Sequence, residues 1–512
     1  MSRWQRYWFA EGGRTSCAIL RVAIAVALMF TLSRLRGTWP VGAPGSPGPH
    51  EVYRPIGVWM LFGHHAPPQW AIDWLWRVAW LGALAMLVGL CSRAATAVAF
   101  AAGVALAALS YSATKAWSHQ YNVVFVALLA FLGARCGDVL SVDWLIRRWR
   151  GRPQIDVPRG YQWSLRLVQL AVAVMFASGM FHKILHGHFT LRWAFSDNLR
   201  HHLLVRYDLA GLPRPGIVDF IIDRSWAWQM AAGLNLLTQT VPLLGVFFVK
   251  RPAVRLVAGL FFVMETVALG VVMQLWNLHW LPLAAAFVDW DWLLRRRDVP
   301  AAPAGWKPPR GPSIFVAVFV VYDVVVAFAP GIDQRLNTYP VSAFPMFATI
   351  RARAPYSEHQ PYSVPGVHFD VDAAQPLPDA AEWLDYAYRT IIQAHDAAEL
   401  KKRLPAILAD VKARYPSAGV RGVRVWLTIF ETPAYPAPAR FEAHPIAIMG
   451  EVTDAGVTSY FQTKRPDGAV DFYADDIPVK HTGVLPKSGQ LYVVQTIDGK
   501  PWLVYAARQR TQ

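Results

Sequence analysis

The sequence predicts a polytopic α-helical membrane bundle followed by a C-terminal α+β domain outside the cytoplasm. At about 20 apolar residues per crossing, about nine transmembrane helices are expected. Three observations carry this reading. The chain has 512 residues, 54% hydrophobic and only 16% charged, where an ordinary soluble protein carries about 25% charged residues. The deficit lies in residues 1–330, which are apolar runs split by short basic loops, whereas 331–512 is rich in Asp, Glu, Pro and Gln. The basic residues crowd alternate loops, as in Arg147, Arg148, Arg150 and Arg152, or Arg295, Arg296 and Arg297.

The apolar runs are 15–35, 71–91, 93–112, 120–136, 162–185, 227–249, 253–276, 279–294 and 313–330. The first follows Arg3, Arg6 and Arg14, and no small-x-small cleavage site follows it. It therefore reads as a retained helix rather than a removed signal. The basic loops place the N-terminus in the cytoplasm, and nine crossings then put the C-terminal domain outside. A bacterial inner membrane suits this arrangement. The expected organisation is a bundle over 1–300, a ninth helix and connector over 301–337, and an extracytoplasmic domain over 338–512.

In that last domain, 378–414 has helical spacing, with Leu400, Leu404, Ile407, Leu408 and Val411 on one face. The segments 423–431, 445–452, 458–464, 490–497 and 502–508 read as strands of an antiparallel sheet, separated by turns such as Asp498-Gly499. The aromatic connector 338–347, with Tyr339, Phe344, Met346 and Phe347, is expected to pack on the mouth of the bundle, because apolar residues this dense do not stay solvated.

The net charge of +16 does not indicate nucleic acid. The arginines sit in loops between apolar runs, so membrane lipid is the expected partner, including anionic headgroups. Cys17, Cys91 and Cys136 are the three cysteines, none in the C-terminal domain and none with metal-ligand spacing. The pairs His64-His65, His186-x-His188 and His201-His202 lack a diagnostic spacing, and no metal is expected.

Ionisable groups at membrane depth are costly and mark candidate sites. They are Arg21, Lys183, Glu265 and Asp323, with Arg166, Gln169, Asn235 and Gln239 as weaker cases. The plain alternative is interhelical glue, with Arg21 neutralising Glu265 or Asp323. Lys183 follows a long apolar run and lies between His182 and His186. Burial disfavours an ammonium, and a neutral amine is a competent general base. The plain alternative for Lys183 is snorkelling to the headgroups.

Two stretches add a family resemblance. They are WSHQYNVVFVALLAFLGARCGDVLSVDW (117–144) and WSLRLVQLAVAVMFASGMFHKI (163–184). The first resembles a Trp-x-x-His-x-Tyr start to a helix that ends in Ser-Val-Asp. The second resembles a helix opening on Arg-Leu-x-Gln and closing on small-small-x-x-Lys-Leu. Both belong to the vitamin K-dependent gamma-carboxylases and their bacterial relatives, the horizontally transferred transmembrane (HTTM) domain family. The resemblance extends over about residues 10–295 and is specific only within 117–184. It implies quinol-dependent base and oxygenation chemistry, with reduced vitamin K or another quinol as cofactor. That chemistry drives carboxylation of a peptide or protein substrate outside the cytoplasm. It places Lys183 as the base and His119 near the active centre. By orientation both lie at the outer face and are expected to share one pocket, with Glu265, Asn235, Gln239 and His182 as the residues expected to line it. The chain departs from the family in lacking extracytoplasmic cysteines and in having Glu265 where a histidine is expected. The alternative function is a non-enzymatic transporter or membrane assembly factor that keeps the fold with a buried polar relay.

Overall fold

The computed structural model describes residues 1–37, 55–63, 67–114, 119–153, 157, 159–209, 212–294, 303, 305–329, 339, 341, 348, 350–351, 359–377, 397–459, 461–464, 470–473, 478–480, 492–497 and 500–505. Its helices are mostly long and apolar. Among the described residues, seven are long and apolar enough to cross a membrane. They are α1 (Arg14–Gly37), α2 (Gln69–Val88), α3 (Ser92–Thr114), α4 (Gln162–His186), α5 (Ser225–Thr240), α6 (Pro252–Met273) and α7 (Arg310–Phe328). After Val241, α5 continues as the short helix Pro242–Phe247, completing a 23-residue span.

By length and composition these helices are those of an integral membrane protein. Their exposure agrees. Val318, Val321 and Ile314 of α7 are more than 60% exposed, while Asp323 on the same helix is 5% exposed. Apolar residues outside and the acid inside is the pattern of a helix whose outer solvent is lipid.

Two of the nine apolar runs form other structures. The run 120–136 yields only the ten-residue helix Asn122–Phe131, nearly all of it buried. It is followed by Leu132, which leaves helical geometry, and by Gly133 at φ +77°. The run 279–294 is not a spanning helix. It gives a 3₁₀ segment, Leu281–Phe287, and a single turn, Trp290–Leu293. Pro282 sits at its start, and Asp289 caps the Trp292 N–H, so a fresh turn begins inside the run.

The chain divides into two compact units. One holds 1–40, 49–190 and 234–348; the other includes 191–233 and 349–512. The boundary therefore differs from the sequence expectation, because 191–233 groups with the C-terminal part.

Within the second unit, β1 (Tyr362–Ala373), β2 (Val420–Thr432), β3 (Glu442–Thr453) and β4 (Gly456–Ser459) form an antiparallel four-stranded meander. The helix Ala397–Arg414 packs on β2, β3 and β4, burying Leu404, Ile407, Leu408 and Val411, the face its spacing predicts. The strand β1 has no counterpart among the sequence expectations. The remaining strands, β5 (Phe461–Lys464), β6 (Val470–Tyr473), β7 (Pro478–Lys480), β8 (Tyr492–Ile497) and β9 (Lys500–Tyr505), make a second sheet in the order 5-6-7-9-8. Its β7–β9 pair is parallel, so this sheet is mixed rather than antiparallel.

In the first unit, Tyr339 donates to the Val104 carbonyl at 2.8 Å and stands edge-on to Tyr111 at 5.7 Å. The rest of the aromatic connector, Phe344 to Phe347, lies outside the described residues.

Helices α2 and α3 are joined by a tight turn and approach closely at Gly82. A Cβ there would stand 2.9 Å from the Ala99 backbone nitrogen and 3.1 Å from its Cα. Alanine favours a helix over glycine by about 1 kcal/mol, but here the obstacle is backbone, which cannot rotate away. Gly82→Ala is therefore expected to lower the thermal midpoint of the purified protein, despite its better helix propensity. An unchanged or raised midpoint would show that α2 and α3 have room between them.

Candidate functional site

Lys183 lies on the last turn of α4 and is 1% exposed. Its ammonium donates to Asn235 Oδ1 and, at 3.0 Å, to Gln239 Oε1, two residues one turn apart on α5. Each carboxamide passes the contact on. Asn235 Nδ2 donates to Glu265 Oε1 at 2.6 Å, and Gln239 Nε2 donates to the same oxygen at 2.9 Å. Thr238 Oγ1 donates to the other oxygen, Oε2, at 2.5 Å. Glu265 on α6 is 1% exposed and accepts three hydrogen bonds. Three donors converge on this one carboxyl group.

The sequence explains this geometry. Asn235, Thr238 and Gln239 are spaced i, i+3 and i+4, so they share one face of α5. Both carboxamides are oriented the same way, with oxygen toward Lys183 and nitrogen toward Glu265. A basic and an acidic side chain are thus joined through two amide dipoles across three helices.

His182 faces elsewhere, since neighbouring helical residues differ by about 100°. Its Nε2 donates to the Ala327 carbonyl of α7 at 3.2 Å, and its Nδ1 has no partner among the described residues. A cavity of about 20 Å³ lies nearby, lined by His119, Asn122, Val123, Val126, Ala171, Val174, Met175, Asp323, Ala327 and Val341. That is room for about one water. The Oδ2 atom of Asp323 is buried and has no hydrogen-bond partner among the described residues.

The structure therefore brings together Lys183, Asn235, Gln239 and Glu265. It places His119 among the residues of the Asp323 cavity, whose lining does not include Lys183. The turn that carries His119 is clamped from behind: His279 Nε2 donates to the Gln120 carbonyl at 2.9 Å, and Trp280 Nε1 donates to the same oxygen at 2.7 Å. Arg21 neutralises neither acid. It donates to the carbonyls of Cys136 at 2.8 Å and Leu140 at 2.6 Å, holding the turn after the helix Asn122–Phe131.

The second unit contains a polar cluster of its own, absent from the sequence expectations. His359 Nδ1 pairs with Asp197 Oδ1 at 2.7 Å, and the His359 ring lies 4.9 Å from Tyr435 and 5.8 Å from Trp228. The buried Arg200 guanidinium stands 5.8 Å over Trp228. Beside it, Arg351 pins both members of the His201-His202 pair. The Arg351 carbonyl accepts from His201 Nδ1, and Arg351 Nε donates to His202 Nδ1 at 3.1 Å. Burial pushes the His201 imidazole down to about 3. The neutral ring with Nδ1–H is the form a carbonyl acceptor requires. Only the paired histidines were visible in the sequence; their partners come from 150 residues away and gave no signal. His186 Nδ1 donates to the His182 carbonyl at 2.7 Å. His64 and His65 lie outside the described residues. Among the described residues, no group of three or more His, Cys, Asp and Glu is placed to hold a metal ion.

Comparison with protein-family models, curated proteins and solved structures gives no match.

The Lys183–Glu265 linkage makes a quantitative expectation. Removing one member of a buried pair costs about 3–5 kcal/mol, because the other charge is left uncompensated, whereas removing both is far less costly. Lys183→Met and Glu265→Gln should each lower stability. The double variant should recover much of the loss in a double-mutant cycle of thermal or denaturant unfolding. Additive losses would mean that the two groups do not sense each other through the carboxamides.

Proposed function

We propose that this chain is a membrane enzyme of the kind its 117–184 stretch resembles, with Lys183 as a general base acting on a lipid-soluble quinol. The observation that carries the reading is the setting of Lys183, an amine fully buried in an apolar bundle and backed by a carboxylate it reaches only through amides.

The residues fit the chemistry of a weakly acidic hydroxyl. A dry amine is the proton acceptor such a group needs. The water-sized cavity beside Asp323 does not take a quinol ring; on this reading the reacting hydroxyl approaches Lys183 Nζ. When bound, the quinol supplies the acidic O–H and the oxygen-dependent conversion that yields a strong base for carboxylation of a peptide or protein.

The protein's own part is proton handling. Lys183 Nζ takes the proton. The Asn235 and Gln239 oxygens accept from the amine and from the ammonium alike, so the network survives both states. Glu265, which accepts from Asn235, Gln239 and Thr238, stands behind them as the acidic partner of the amine. The acceptance of a proton therefore needs no rearrangement, which is the preorganisation that lowers a barrier.

The reading also assigns sides. With the short segments 120–136 and 279–294 counted as crossings too, the N-terminus and the loop 135–161 are cytoplasmic and 331–512 is outside, as the basic loops indicate. In intact cells, a membrane-impermeant thiol reagent should then modify Ser357→Cys and spare Arg150→Cys; equal modification would overturn the orientation.

A second reading, a transporter or assembly factor with a buried relay, is favoured by the unpartnered oxygen of Asp323 beside a water-sized cavity.

Purified protein in lipid discs, supplied with reduced vitamin K and oxygen, separates the two. Lys183→Arg keeps the positive charge but cannot act as a base near neutral pH. It is expected to slow quinol oxidation by about 10²–10⁴-fold, the usual worth of a general base. The Lys183→Met, Glu265→Gln double variant should be folded and equally inactive. Undiminished turnover in Lys183→Arg would exclude the base role and leave the relay reading.

A further inference from the structure

We propose that the first unit carries a binding site for the phosphate group of an anionic lipid, in the cavity between the α2–α3 turn and the helix Val142–Trp149. The cavity has a volume of about 560 Å³ and is lined by Cys91, Ser92 and Arg93 from the start of α3, by Ala134, Arg135, Gly137 and Asp138, and by Asp143, Ile146 and Arg147. That volume is within the range of small-molecule sites, about 300–1,000 Å³.

The charges around it are not equivalent. Asp143 is consumed by the α3 N-terminus, accepting from Cys91 N at 2.7 Å, Ser92 N at 2.8 Å and Ser92 Oγ at 2.8 Å. Asp138 is consumed by Arg135 at 3.0 Å, Arg147 at 3.2 Å and the Tyr161 hydroxyl at 2.9 Å. Arg93 is exposed and has no hydrogen bond or ion pair among the described residues. Three guanidiniums against two carboxylates leave one positive charge, and it resides on the arginine that is free to turn inward.

A second, independent observation says where the ligand comes from. The helix Val142–Trp149 forms one wall of the cavity and is strongly amphipathic, VDWLIRRW. Arg147 faces the cavity, while Leu145 and Trp149 are 55% and 85% exposed one turn apart. An apolar stripe with a basic opposite edge, at the level where α2 ends and α3 begins, is the signature of a helix lying in the headgroup plane. A lipid whose phosphate enters the cavity would lay its acyl chains along Leu145 and Trp149. Guanidinium groups prefer phosphate for its bidentate geometry.

Cys91 gives the site its own reporter. It lines the cavity and is exposed, whereas Cys17 and Cys136 are buried. The test is the rate of maleimide modification of Cys91 in the intact protein, in phosphatidylcholine discs with and without phosphatidic acid. Phosphatidic acid should slow modification about tenfold when present at about ten times its Kd, the fraction left unoccupied by simple mass action. Arg93→Gln should abolish most of that protection, read as the ratio of the variant's own rates with and without phosphatidic acid, so that any change in the intrinsic reactivity of Cys91 cancels. Inorganic phosphate in solution should not protect. Protection by inorganic phosphate as strong as by the lipid would overturn the lipid assignment. Equal rates in all discs, or protection that survives Arg93→Gln, would overturn the site.

Discussion

A charged group placed among apolar helices has to find its counterweight inside the protein, because lipid offers none. The bundle meets this constraint at one place with four side chains from three helices. Lys183 and Glu265 are too expensive to bury singly, and Asn235 and Gln239 carry the compensation between them. The packing of α4, α5 and α6 follows from this. The three helices cannot separate or slide by a turn without stranding a charge, so the linkage sets their register as well as offering a reactive amine.

The other buried polar residues meet the same constraint differently. Arg21 spends its guanidinium on backbone carbonyls at the end of a short helix, turning a charge into a cap. Arg255 does likewise near Val288 and Asp289. Asp323 keeps, among the described residues, an unpartnered oxygen beside a space that holds a water. This range, from fully linked to capped to unpartnered, separates structural charges from those available for chemistry.

Much of this was legible in the chain because the relevant signals are local. Twenty-residue apolar runs, the i, i+3, i+4 polar stripe of α5, and the spacing of Leu404, Ile407, Leu408 and Val411 each lie within a few turns. What was not legible depends on long-range pairing. Glu265 is 82 positions from Lys183 in the chain, and nothing near Lys183 announces an acid. The run 279–294 is as apolar as a spanning helix, but Pro282 and the Asp289 cap break it into short pieces, and hydrophobicity alone does not weigh such breaks. His119 and Lys183 both sit near helix ends, which suggested one pocket; the 100° step along α4 instead sends Lys183 toward α5 and leaves His182 to face α7. The cluster around Asp197, Arg200 and His359 joins segments far apart in sequence and left no trace in it.

That same step on α4 ties two neighbours to one axle. His182 holds the Ala327 carbonyl of α7, and Lys183 holds the carboxamides of α5. Any twist of α4 about its own long axis must release both grips together, since the two residues are consecutive on a rigid helix. The bundle is therefore geared: a rotation that withdraws the amine from α5 necessarily frees the last turn of α7, and an event that seizes α7 immobilises the amine.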